Sequence, residues 1–193
     1  MSSPSLNFLI TFLNHINLII IMVMTLFNQL DKNRLKELLV KCWMTHDGAW
    51  FYNCTRELGI DTANKLNKAA IKTLSVIEIQ RVKKAMGLEK IKIQTFEQLK
   101  NFVNNAFSVL KGDFMDFEYS FPEENRIHWE MNRCFAYKGM EMIGVHKQYE
   151  CGVIYRVSCW LSALGIIHTI KPQIDKCLLN SYEKCSGDFF LFL

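Results

Sequence analysis

The sequence lacks the short motifs that identify most enzymes on their own. Its nine glycines form no GxGxxG or Walker pattern, which argues against nucleotide binding by those routes. It contains no GxSxG elbow and no HExxH helix, so the corresponding serine hydrolases and zinc proteases are excluded. It also has no CxxC pair and no zinc-finger spacing. Any active or binding site must therefore combine residues that are distant in sequence.

The chain also lacks strong charge and flexible linkers. Its net charge is only +4, and its lysines are spread over helical faces without interleaved aromatics, so we expect no nucleic-acid partner. Without a linker rich in Pro, Gly or Ser, 193 residues predict a single core. The seven cysteines are an odd number without regular spacing, which makes this a cysteine-rich chain of reduced thiols and favours a cytoplasmic location.

The first thirty residues contain no charged side chain. Residues 6–27 are long enough to span a bilayer, but Asn14, His15 and Asn17 lie near the middle of this run. We therefore divide the chain into an apolar segment, residues 1–29, and one α+β domain, residues 30–193. The apolar segment is either a membrane anchor or the product of a misassigned translation start. A membrane partner is expected only in the first case.

Helical periodicity dominates the first half of the domain. One predicted helix has an apolar face and ends at Gly59, and Asp61 is expected to cap the next helix. A capping box at Thr95 and Gln98 predicts a third helix through Leu110. The expected buried face of the first helix is Leu35, Leu39, Cys42, Trp43, His46, Trp50, Cys54 and Leu58. That of the second is Ala63, Leu66, Ala70, Leu74 and Ile77.

The period then changes from 3.6 to 2. Residues 115–121 and 127–135 alternate apolar and polar side chains around a short turn, which predicts an antiparallel hairpin. Helical spacing returns over 138–164, with a break expected near Gly144, and strands are predicted at 166–170, 174–179 and 189–193. The predicted fold class is α+β, with N-terminal helices followed by an antiparallel sheet against which a long helix packs.

One group of candidate site residues lies on the first two helices. His46 shares a predicted face with Trp43 and Trp50, so its imidazole could serve as acid or base, oriented by Asp47. Asn64 and Asn67 on the second helix would orient a substrate. The alternatives are a buried structural histidine and tryptophans that belong to the core.

A second group contains the thiols. Cys134 follows His128, Glu130 and Asn132 on the polar face of the second strand, and it is the best nucleophile if a helix covers that face. Cys151 is a second candidate thiol, with Tyr149 beside it. Together with Cys159, these two cysteines could hold zinc or an iron–sulfur cluster. The simpler alternative is that the cysteines pack as small apolar residues.

Several of these segments resemble a known family. The run Asn132–Tyr137, Gly144, Cys151 and the closing strand after Gly187-Asp188-Phe189 are similar to the L-2-amino-thiazoline-4-carboxylate hydrolase-like proteins. The segments 43–51 and 63–67 more closely resemble an uncharacterised prokaryotic family related to them. The resemblance covers residues 30–193.

This resemblance implies hydrolytic opening of a small ring that contains sulfur and nitrogen. It matches Cys134 and Cys151 to cysteines of the family pattern. The end of the chain departs from that pattern, because Gly187 stands where those proteins tend to have Cys immediately before Asp-Phe. Cys185 lies two residues earlier, so the substrate or the activity could differ.

The leading hypothesis is a hydrolase-like protein with a small-molecule pocket between helices and sheet. Cys134 and Cys151 would be its catalytic thiols, His46 and Asp47 its acid/base pair, and Trp43, Trp50, Asn64, Asn67 and Tyr149 its substrate-binding residues. The alternative is a non-enzymatic sensor or binding module that holds a metal or cofactor. The cofactor in that case could be zinc or an iron–sulfur cluster, and the chain could form a homo-oligomer.

Overall fold

The computed structural model describes residues 25–182 and 184–193 and has the predicted α+β architecture. Four helices come first: α1 (Leu26–Gln29), α2 (Lys32–Leu58), α3 (Ile60–Ala85) and α4 (Phe96–Leu110). The remaining elements are β1 (Asp116–Ser120), β2 (Arg126–Arg133), α5 (Phe135–Met142), α6 (Gly152–Ala163), β3 (Ile167–Lys171), α7 (Leu178–Tyr182) and β4 (Cys185–Phe192). The predicted fold class is thus confirmed.

Local sequence signals account for most helix ends. The Asp31 side chain accepts hydrogen bonds from the backbone N–H groups of Asn33 and Arg34 at the start of α2. The predicted capping box of Thr95 and Gln98 is present at the start of α4. Gly59 alone separates α2 from α3, and its φ of 79° is a conformation that glycine adopts without strain. Asp61 does not cap α3, because that helix already begins at Ile60.

The four strands form one antiparallel sheet in the order β1-β2-β4-β3. The predicted hairpin is β1 and β2, and the closing strand β4 lies between β2 and β3. One face of the sheet presents Trp129 and Phe189 to the helices, where they join a core that also contains Phe102, Leu99 and Leu161. The other face carries His128 and Asp188, which lie opposite each other in the register of β2 and β4.

One prediction for the C-terminal half is confirmed and one is wrong. The helical stretch expected over 138–164 is divided, as predicted, near Gly144, which has a φ of 73° and lies in the loop between α5 and α6. Residues 174–179 form no strand but lead through a turn into α7. Short apolar runs do not by themselves distinguish a strand from a buried turn.

The buried faces of α2 and α3 also differ from the prediction. Leu39, His46 and Trp50 of α2 are exposed, whereas Val40 and Phe51 are buried. On α3, Leu66 and Ile77 are exposed, and the buried set contains polar residues: Asn64, Asn67, Ser75 and Glu78. Both helices are therefore rotated by about a quarter turn relative to their apolar stripes. The apolar periodicity of the sequence did not predict this rotation, because polar side chains occupy part of the buried face. Two of them, Asn64 and Glu78, can be buried there because distant residues provide hydrogen-bond partners.

The predicted apolar segment falls largely outside the described residues, which begin at Thr25. The choice between a membrane anchor and a misassigned start therefore stays a prediction. Within residues 25–182 and 184–193, no helix is both long and apolar enough to cross a membrane.

Candidate functional site

A cavity of about 220 Å³ lies between the helices and the inner face of the sheet. Helices α2, α3, α4 and α6 form its walls on one side, and strands β1, β2 and β4 form the other. Its lining is mainly apolar and rich in aromatic rings: Trp43, Phe107, Phe117, Tyr119, Trp129, Phe135, Tyr149, Trp160 and Phe189. An apolar cleft with a few polar groups is the usual form of a small-molecule site.

The side-chain amide of Asn67 lies in the cavity wall. The residue is 8% exposed, and within the described part of the chain its amide forms no hydrogen bond. Its Nδ2 lies beside Gly152, where a Cβ atom would come within 3.1 Å of it. A group that enters the cavity can therefore form a hydrogen bond with this amide without displacing a protein partner.

The rim of the cavity carries Asp47 and Trp43 of α2. Burial raises the pKa of Asp47, and the charges of Arg156 and His46 offset this in part. The Trp43 ring is covered by the Arg156 guanidinium, whose Cζ lies 4.5 Å from the ring centroid. These residues place one carboxylate and one stacked cation where a ligand would enter.

Arg156 is held in place by a buried carboxylate. Glu78 is 6% exposed and accepts hydrogen bonds from Arg156 Nε at 3.0 Å, from Arg156 Nη2, and from Trp160 Nε1 at 2.6 Å. Both of its partners lie on α6. A bidentate guanidinium and an indole together satisfy a carboxylate that would otherwise be costly to bury.

Lys111 borders the cavity beside β1, and its charge interacts with that of Asp116 without a direct ion pair. Its Nζ donates to the carbonyl oxygen of Phe117 at 2.7 Å and lies 4.6 Å from the centroid of the Phe117 ring. Among residues 25–182 and 184–193, no carboxylate forms an ion pair with it. The half-buried ammonium group can therefore attract an acidic group of a ligand.

The candidate thiols lie close together but outside the cavity lining. Cys134 and Cys151 are both buried, at the N-terminal ends of α5 and α6, and Cys177 and Cys185 lie near them. Burial raises the pKa of Cys151 to about 12, and negative charge at the other three sulfurs would raise it further. Burial likewise raises the pKa of Cys134, although the N–H groups of Tyr137 and Ala136 lower it in part. In this conformation the thiols are protonated at neutral pH.

Cys159 does not join this group of thiols. It lies on α6, where burial raises its pKa and a hydrogen bond with Tyr155 and the charge of Lys72 lower it in part. Within the described ranges no three His, Cys, Asp or Glu side chains are arranged to hold a metal ion. The predicted ligand set Cys134, Cys151 and Cys159 is thus not assembled in this structure.

The other predicted site residues do not all lie at the cavity. Trp43, Asp47, Asn67 and Tyr149 line the cavity, whereas His46 and Trp50 face solvent. Asn64 is used structurally: its Nδ2 donates to Gln148 O at 2.9 Å and its Oδ1 accepts from Glu150 N at 3.2 Å. Tyr149 accepts from Gly152 N at 3.0 Å. Of the expected α2–α3 group, the structure therefore brings Trp43, Asp47 and Asn67 to one cavity.

The outer face of the sheet holds a separate polar group. Asp188 accepts from Arg126 Nε at 2.8 Å and lies 2.9 Å from His128 Nδ1. Partial burial would raise the pKa of Asp188, but these hydrogen bonds and charges hold it below its ordinary value. Cys134 is not on this face, because β2 ends at Arg133 and the Cys134 sulfur turns inward to accept from Tyr137 N.

Gly187 stands where the family pattern described above has a cysteine, and this difference has a steric explanation. A Cβ atom there would lie 2.5 Å from the Trp129 ring and 2.5 Å from the carbonyl oxygen of Lys171. The indole of Trp129 therefore occupies the space that a side chain at position 187 would need. Cys185, two residues earlier on the same face of β4, is buried and joins the other thiols.

Sequence reasoning missed Lys111 and the roles of Glu78 and Arg156. A signal existed for Glu78, since it lies four residues after Leu74 and one turn before Val82, in line with partly buried apolar residues. No local pattern indicates Lys111, because its carbonyl and aromatic partners come from Phe117 on the following strand.

Comparison with known proteins gives a family but no activity. Residues 28–186 match the model of a family of unknown function, DUF6125. No curated protein matches the chain, and no solved structure does. Because the matched region covers most of the sequence, the chain belongs to the DUF6125 family of unknown function.

Proposed function

We propose that this protein binds a small, largely apolar organic acid in the cavity between its helices and sheet. The observation that carries the proposal is an aromatic-lined cavity of about 220 Å³. It is bordered by the amide of Asn67, which forms no hydrogen bond within the described residues, and by the ammonium group of Lys111, which forms no direct ion pair there. The rings would cover the apolar body of the ligand, and the two polar groups would fix its orientation.

The charged groups of the cavity lining favour a carboxylic acid over an amine as the ligand. Of the two cations in the cavity lining, Arg156 forms a direct ion pair with Glu78, whereas Lys111 interacts with Asp116 only at longer range. A carboxylate beside Lys111 would form a charge-assisted hydrogen bond in a partly desolvated setting. An ammonium ligand would instead meet Lys111 as a like charge.

The hydrolase-like reaction implied by the family resemblance remains a second, separate proposal. Its nucleophile would be Cys134 or Cys151, and its acid/base pair His46 and Asp47. Burial of the thiols with raised pKa values and the solvent exposure of His46 favour binding over catalysis in this conformation. Turnover would require a conformational change that exposes a thiol to the cavity.

Intrinsic tryptophan fluorescence offers a direct test. Trp43, Trp129 and Trp160 line the cavity, so an occupant should change their emission. Small aromatic and alicyclic carboxylates should bind, and their uncharged amides should bind at least about tenfold more weakly. The variant Lys111→Met should remove this preference while apolar binding persists. Equal binding of acids and amides by the wild-type chain, or no binding at all, would contradict the proposal.

A further inference from the structure

A serine and a histidine are hydrogen-bonded to each other where α6 packs on the strand β3. Ser158 lies in the middle of α6, and its Oγ is 2.7 Å from Nε2 of His168 on β3. The other ring nitrogen, Nδ1, is 3.1 Å from the backbone carbonyl oxygen of Ile166. Neither Ser158 nor His168 belongs to the lining of the cavity, so the pair is a separate site.

The carbonyl group of Ile166 fixes which nitrogen of the imidazole carries the proton. A carbonyl oxygen can only accept, so Nδ1 must be protonated for this hydrogen bond to form. In the neutral ring, Nε2 then carries a lone pair and accepts a hydrogen bond from the Ser158 hydroxyl. This is the arrangement in which an imidazole acts as a general base toward a serine nucleophile. A backbone carbonyl here has the orienting role that a carboxylate has in many such sites.

The hydroxyl of Ser158 differs in its bonding from other hydroxyls on the helices of this chain. Thr45, Thr55 and Ser162 each donate to the carbonyl oxygen four residues earlier, which is a common partner within a helix. The Ser158 hydroxyl instead bonds across to the imidazole on the neighbouring strand. Ser162 lies one turn later on the same helix, so it provides a matched control for Ser158.

The connection between α6 and β3 holds the two side chains in position. Residues 164–166 alone separate the helix from the strand. The Ile166 N–H donates to the carbonyl oxygen of Leu161, and Gly165 has a φ of 78°, both of which are features of the Schellman motif. Because this turn is fixed by its own hydrogen bonds, His168 is held against α6 by the local sequence.

The serine–histidine pair lies at an edge of the sheet that a small reagent can reach. β3 is the last strand in the order β1-β2-β4-β3, so within the described residues no strand pairs with its outer edge. Ser158 and His168 are both half-buried, and Ile167 beside them in the chain is 72% exposed. The hydroxyl is thus partly shielded from water without being enclosed in the core.

We propose that Ser158 is a nucleophile activated by His168, and that it accepts the acyl group of small activated carboxylic esters. Ser158 Oγ attacks the carbonyl carbon of the ester while its proton passes to His168 Nε2. The bond from that carbon to the alcohol oxygen then breaks, and the imidazolium returns the proton to the departing oxygen. Water, deprotonated by the same imidazole, hydrolyses the Ser158 ester and releases the carboxylic acid. Because the helix and the strand are in direct contact here, only a compact acyl group such as acetyl fits.

Covalent labelling of the full chain tests this proposal independently of any ligand in the cavity. An alkyl fluorophosphonate should modify Ser158: the Oγ–P bond forms, fluoride leaves, and the proton passes to His168. p-Nitrophenyl acetate should acetylate the same oxygen, and peptide mass mapping would locate both labels. His168→Asn should slow both reactions at least ~100-fold, because its amide can still donate to Ile166 O but no base faces the hydroxyl. Ser162→Ala should leave both rates unchanged, and circular dichroism would verify that each variant is folded.

Nitrogen NMR of the imidazole provides a second readout that does not depend on a reagent. The neutral His168 ring should carry its proton on Nδ1, and Ser158→Ala should preserve this tautomer, since the Ile166 carbonyl remains. A ring protonated on Nε2 could not accept from the Ser158 hydroxyl and would overturn the proposal. So would a native chain in which Ser158 is not modified, or is modified no faster than Ser162 or than in His168→Asn.

Discussion

Arg156 and Glu78 form the ion pair that links the cavity wall to the helical core. The guanidinium is 18% exposed and the carboxylate 6% exposed, and the pair joins α6 to α3. Because Arg156 also stacks on Trp43 of α2, one side chain connects three helices around the cavity. The buried pair therefore holds both the fold and the shape of the cavity in place.

Glu78→Gln should lower the free energy of unfolding by about 3 kcal/mol, because the variant leaves the Arg156 charge in a poorly hydrated position. Denaturant unfolding followed by circular dichroism would measure this. The double variant Glu78→Gln with Arg156→Met should recover part of the loss, since no unpaired charge remains. An unchanged unfolding midpoint in Glu78→Gln would show that the pair contributes little.

Asn67→Leu should have opposite effects on binding and on stability. It removes an unpartnered amide, so the ligand-free protein should be equally stable or more stable by up to about 1 kcal/mol, whereas ligand affinity should fall at least about tenfold. Asn64→Leu is the matched control on the same helix. Its amide bonds the backbone of Gln148 and Glu150, so its loss should destabilise the protein by about 2 kcal/mol. Thermal unfolding and a binding titration together separate the two roles.

Gly187→Cys should destabilise the protein by about 2 kcal/mol, because the new Cβ overlaps the Trp129 ring. Trp129→Val removes the obstructing ring and on its own should also cost stability, since it opens a cavity. The double variant should be more stable than the sum of the single effects predicts. Additive losses in the double-mutant cycle would show that the ring and the glycine are not coupled.

Cys134, Cys151, Cys177 and Cys185 should react slowly with a disulfide reagent at neutral pH, because burial raises the pKa of each thiol. Exposed Cys42 should react first. Peptide mapping after short labelling at several pH values would rank the sites. If Cys134 in the native protein were labelled as fast as Cys42, this would instead support the predicted role of Cys134 as a nucleophile.

Asp47→Asn should raise stability slightly at neutral pH. Because burial raises the pKa of Asp47 in the folded state, the ionised form is penalised, and stability is lost as pH rises from the unfolded-state pKa through the raised folded value. The wild type and the variant should therefore be closest in stability below about pH 4, where the carboxyl is protonated in both states. Unfolding curves across the acid range would check this. The prediction would be contradicted if the wild type became increasingly more stable than the variant as the pH rises toward neutral.

Local signals predicted the elements well where one residue dictates the backbone. Gly59 ends α2, the Thr95–Gln98 box starts α4, and the alternation in residues 115–135 gives the β1–β2 hairpin. These features depend on hydrogen bonds within a few residues, so the chain specifies them directly. The turn before α7 was not predicted, because its apolar residues pack against distant elements.

The candidate site could be predicted only in part. Trp43, Asp47, Asn67 and Tyr149 were named from the sequence and line the cavity. His46 and Trp50 share the helical periodicity of Trp43 but face solvent, since α2 packs through Val40 and Phe51 instead. A single helical repeat cannot show which side of a broad apolar surface will be buried by the rest of the chain.

The sequence alone determined the α+β class, the capping box at the start of α4 and the hairpin, since each follows from short-range backbone chemistry and periodicity. The tertiary structure determined how far α2 and α3 are rotated from their apolar stripes, the pairing of Glu78 with Arg156, and the position of the thiols outside the cavity lining. Those outcomes depend on which distant side chain satisfies a buried polar group. The free energy of such a group is set by its partner in space, not by its neighbours in the chain.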